Sequence, residues 1–139
     1  MYEPIRSKSV NSTVAGSTSF PHRSREEELD IQLSGHLAAL LAVTDELRAL
    51  APSADLDAAA ERLAGQVARL RGGRTPARVP LTAAKGEPHV AALHRRAHTL
   101  AGRALVVAAS RADTAVAILA AERMDAHAAA LEPRELTSR

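Results

Sequence analysis

The last third of the chain places the tightest limit on what it can fold into. From Pro88 to Leu131, Leu93, Ala97, Leu100, Ala104, Val107, Arg111, Thr114, Ile118 and Ala121 recur at helical spacing, and Val90, Ala101, Leu105, Ala112, Val116 and Leu119 lie beside them. This spacing predicts one helix over 88–131, roughly 65 Å long at 1.5 Å per residue. Pro133 lies just beyond it. Between Ala115 and Ala121 that helix is apolar on every side, and a helix apolar all round must be covered all round.

Two shorter helices are available to cover it. Ser24 followed by Glu27 has the form of a capping box, and Glu26 and Glu28 favour the positive end of a helix. Leu29, Leu33, Leu37, Leu40, Thr44, Leu47 and Ala51 then alternate at spacings of four and three, a heptad seam over about 24–51 that Pro52 ends. A second helix over about 54–71, capped by Ser53 or Asp55, carries Leu56, Ala60, Leu63, Val67 and Leu70, and Gly72-Gly73 stops it. The short turn between them predicts an antiparallel hairpin or a sharp kink. Pro76, Pro80, Gly86 and Pro88 break the linker, residues 72–87. Residues 1–23 are rich in Ser and Thr without periodicity and read as a disordered tail; residues 133–139 form a C-terminal tail.

The expected fold is therefore all-α. It is a three-helix bundle, a short hairpin packed on a long C-terminal helix, in one domain over 24–132. The hairpin is too short to cover the long helix, so a homodimer is expected, with Leu93, Leu100, Val107, Ile118 and Leu119 forming the core and dimer seam. Composition supports this. Of the 139 residues 31 are Ala and 17 are Leu, so helix propensity is high and core volume is scarce.

Composition also excludes chemistry. With no Cys there is no disulfide, thiolate metal site or cysteine nucleophile. Tyr2 and Phe20 are the only aromatics, too few for a base-stacking platform. The first 24 residues hold no continuous apolar leader, and Arg111 and Asp113 interrupt the apolar stretch 104–121. The expectation is a cytoplasmic protein without a membrane span.

Charge is uneven. From Arg69 to Arg103 there are eight basic residues and one acid. Arg69, Arg71, Arg74, Arg78, Arg95, Arg96 and Arg103 are candidates to bind phosphate, DNA or an acidic protein. Arg outnumbers Lys 16 to 2, a balance typical of GC-rich coding, so arginine alone does not signal phosphate recognition.

His94 and His98, one turn apart, could share a zinc or nickel ion. No acid follows His94 as in a zinc-protease helix, and Arg95 and Arg96 oppose a cation. On a continuous helix His127 is too far from Ser110 to activate it. Glu122 and Asp125, flanked by Arg123 and His127, read as surface pairing. The reading is of a non-catalytic interaction or regulatory protein with no cofactor, a nucleic-acid-associated protein being the first alternative and a His-based metal binder the second.

Overall fold

The computed structural model describes residues 23–78 and 87–132. The tail over 1–22, most of the second half of the linker and the C-terminal tail lie outside the described residues. The described residues form four α-helices: α1 (Arg25–Leu50), α2 (Ala54–Leu70), α3 (Glu87–Arg111) and α4 (Thr114–Ala130).

Local signals set most of the boundaries. Ser24 Oγ accepts from Glu27 N, and Glu27 Oε1 accepts from Ser24 N, so the capping box is complete. Ser53 caps α2 through Leu56 N. At the end of α2, Gly72 adopts φ +71°, Gly73 N donates to the Ala68 carbonyl and Gly72 N to that of Arg69. This is a Schellman motif with glycine in the left-handed position.

The single long helix is not observed; it is two helices. Ala112 turns the chain with φ +60°, Asp113 N donates to the Ala108 carbonyl and Ala112 N to that of Ala109. The hydrogen bonds match those that end α2, with Ala in place of Gly. Asp113 then caps α4 by accepting from Val116 N. The physical reason lies in the apolar stretch itself. Folding back buries Val116, Leu119 and Ala120 inside the subunit, and each large aliphatic side chain so buried is worth about 1.5–3 kcal/mol. A left-handed alanine costs only about 1–2 kcal/mol. The three-helix bundle is thus a four-helix bundle, and the argument that a rod needs a second chain to cover it no longer holds.

The helices form a ring in the order α1, α2, α4, α3. Ion pairs fix their directions. Asp30 near the start of α1 holds Arg111 at the end of α3, while Glu46 near the end of α1 meets His89 at the start of α3. Every adjacent pair is antiparallel, so α2 and α3 run the same way and their connection must travel back along the bundle. Its described part lies along α1. Arg71 Nε donates to Ser34 Oγ, Pro76 is buried, and Arg78 makes two bonds to Asp45 at 2.6 and 2.9 Å. Burial works to raise the Asp45 carboxyl, but the bonds from Arg78 and Arg48 prevail and hold it below its ordinary range.

Leucine fills the core: Leu33, Leu37, Leu40, Leu41, Leu47, Leu63 and Leu119 are fully buried, with Ala97, Ala101, Ala104, Ala108 and Ala120 allowing close approach. Thr44, in the predicted seam, is also buried, and its hydroxyl donates to the Leu40 carbonyl at 2.8 Å. The α2/α4 edge is different. Its backbones come close at the fewest places of any neighbouring pair. Long side chains span it through the ion pairs Arg123–Asp55, Arg62–Glu122 and Arg69–Asp113.

Candidate functional site

Two features stand out from this scaffold, a polar chain centred on the buried Arg123 and His127 and an uncovered apolar face.

The polar chain begins on α2 and ends on α3. Asp55 accepts from Arg123 Nη1 with both carboxylate oxygens, at 3.0 and 3.2 Å. Arg123 Nη2 lies 3.4 Å from His127 Nε2, and His127 Nδ1 lies 2.9 Å from His94 Nδ1. The two rings tilt by 47° with centroids 5.1 Å apart. The proton order follows from the donors. Arg123 can only donate, so His127 Nε2 accepts and its proton sits on Nδ1. That proton is donated to His94 Nδ1, which leaves the His94 proton on Nε2. Both imidazoles are neutral in this arrangement, and adding a proton to either breaks a bond in the chain.

Electrostatics agree. Burial, then the Arg123 charge, then His94 push His127 down to about 4, with Asp55 acting weakly the other way. Burial and Arg123 also lower His94. The Arg123 side chain is only 4% exposed, and its Nε has no hydrogen-bond partner among the described residues. Such a network, with a cation held inside it, fixes helix positions and opposes the entry of a second cation.

The structure therefore pairs His94 with His127 rather than with His98. His98 is half-buried nearby, close enough for its charge to bear on His127. Among the described residues no three His, Cys, Asp or Glu side chains converge as a metal site. Arg123 and His127, expected at the surface, are instead 3% and 1% exposed. One signal pointed to them: they continue the stripe of Val116, Leu119 and Ala120 at spacings of three and four.

The basic candidates are dispersed. Arg69 binds Asp113 at 2.7 Å, Arg71 approaches Ser34, Arg74 Nε donates to the Arg71 carbonyl, and Arg78 binds Asp45. Each of these four makes its contact within the fold. Arg95, Arg96 and Arg103 lie exposed on α3, and none pairs with a carboxylate among the described residues.

Of the predicted seam, Leu93, Leu100, Val107 and Leu119 lie in the subunit's own core, whereas Ile118 is 53% exposed. Ile118 belongs to the uncovered face. On the outer side of the α3/α4 hairpin a groove of about 350 Å³ is lined by Ala109, Ala112, Thr114, Ala117, Ile118 and Ala121, among others. Val106, 66% exposed, lies one helical turn before the lining residue Ala109 on α3. Val106 and Ile118 lie equally far from Ala112 along their two helices, hence at one level of the hairpin.

No family model, curated protein or solved structure matches this chain. No helix of the described residues is long and apolar enough to cross a membrane.

Proposed function

We propose that the protein is a non-catalytic helical interaction protein that acts through helix packing and self-association. The observation that carries this reading is the outer face of α3 and α4, where Val106 and Ile118 stand exposed around an alanine-lined groove. Exposed branched aliphatics grouped on one face mark an interaction surface more often than singly scattered ones do. The polar chain supports the same reading. It ties α2, α4 and α3 together and so keeps that face rigid. The test is sedimentation velocity across a wide concentration range. The wild type is expected to show a concentration-dependent dimer, and Ile118→Glu a monomer with unchanged helical content. A single monomer species at every concentration overturns the reading.

A second reading has one observation in its favour: the exposed Arg95, Arg96 and Arg103 on α3, which pair with no carboxylate among the described residues. A polyanion such as DNA would contact them without reading sequence. Binding of that kind falls steeply with salt, and retardation insensitive to salt would contradict it.

A further inference from the structure

We infer that the partner on the outer α3/α4 face is a second copy of this chain, docked about a two-fold axis that runs along the α3/α4 seam, so that α3 of each copy lies over α4 of the other. This rests on the self-association reading and adds its geometry.

The contacts that the structure does show set the register of the hairpin. Gly102 on α3 lies against Met124 on α4, where a Cβ would stand 3.7 Å from the Met124 methyl carbon, and His94 meets His127 further up. Residues equally far from Ala112 are thus close to one level. A two-fold axis along the seam exchanges α3 and α4 while preserving level. Val106 then lands on Ile118 of the partner subunit, and by symmetry Ile118 lands on the partner's Val106. The two most exposed aliphatics on the hairpin cover each other, with the small residues Gly102, Ala109 and Ala121 between them.

Charge gives the second, independent argument, and it selects a copy of this chain over other partners. The exposed charges on α3 facing outward are all basic, Arg95 and Arg103. Those on α4 are acidic, Glu122 and Asp125. Asp125 has no ion-pair partner among the described residues, and Glu122 pairs with Arg62 across the α2/α4 edge, at the rim of this face. The same two-fold brings Arg103 to the level of Glu122 of the partner subunit. Arg95 comes within four residues of the level of the partner's Asp125, about 6 Å, which an arginine side chain spans. A face basic on one helix and acidic on the other is complementary to itself only when α3 lies over α4, which is the requirement of an isologous interface. Parallel stacking of α3 on α3 would set Arg95 against the partner's Arg95.

A charge swap tests this. One variant carries Arg95→Glu, the other Asp125→Arg. Each alone places like charges across both halves of the interface, and its dimer dissociation constant is expected to rise about tenfold or more. An equimolar mixture restores opposite charges at both halves, so a heterodimer of near wild-type affinity is expected. Both substitutions are at exposed positions, and circular dichroism verifies that each variant is folded. If the wild type dimerises but either variant dimerises equally well, or the mixture stays monomeric, the docking geometry is wrong while self-association stands. If the wild type is monomeric throughout, both fall. A wild type that joins only a different protein or DNA also overturns the inference.

Discussion

Acid should weaken this fold in a pH window that a single residue defines. His127 keeps its ordinary value of 6.5 when unfolded but is pushed down to about 4 when folded, chiefly by burial and then by the Arg123 charge. Between those values the unfolded chain binds a proton that the folded chain does not. Stability is therefore full above pH 6.5 and is lost as pH falls toward 4. At 1.36 kcal/mol per pH unit, the interval corresponds to roughly 3 kcal/mol, a large part of the 5–15 kcal/mol that holds a typical domain together. His94, lowered for the same reasons, adds in the same direction. The assay is urea unfolding at steps from pH 7 to pH 4.5, for the wild type and for His127→Gln. Glutamine does not titrate, so the variant should lose markedly less stability across the window, whatever its stability at pH 7. Parallel pH profiles for the two proteins would refute the proton order deduced for the Asp55–Arg123–His127–His94 chain.

Two further substitutions probe the two features that the fold depends on. Ala112→Gly removes about 1–2 kcal/mol of left-handed strain and returns about 0.5–1 kcal/mol of unfolded-state freedom, so it should stabilise by roughly 0.5–1 kcal/mol; a lower melting temperature would contradict the turn. Asp55→Asn removes the carboxylate partner of a buried guanidinium and should cost about 1–2 kcal/mol in denaturant unfolding, between the values for exposed and for buried charge pairs because Asp55 is 64% exposed. No loss would mean that Arg123 does not depend on it.

How legible this fold was in the sequence is clearest where two helices end in the same way. Gly72 and Ala112 occupy the same left-handed position in the same hydrogen-bonding motif. At the first, two glycines announce the stop. At the second the residue is alanine, the best helix former, and nothing local marks a break. The turn is imposed by what it buries, a tertiary gain that outweighs local propensity. The α1 seam and its capping box were readable because periodicity and cap chemistry agree there. The polar chain was not, because Arg123 and His127 look like surface residues by type and only their phase relative to Val116 and Leu119 places them inside. The uncovered face could not be read either. Ile118 falls on the predicted stripe of an unbroken helix, and only the fold-back moves it from seam to surface.

The outer apolar face exists only if α3 and α4 form a hairpin. The chain has no native cysteine, so spin labels at Ala92→Cys and Ala128→Cys, both exposed positions, report the distance between them directly, in a sample diluted with unlabelled protein. A hairpin places these sites on neighbouring helices, and the label separation should fall below about 30 Å given helix axes about 8–10 Å apart. A continuous helix would hold them about 54 Å apart, and a distribution centred there would contradict the four-helix bundle and the face it presents.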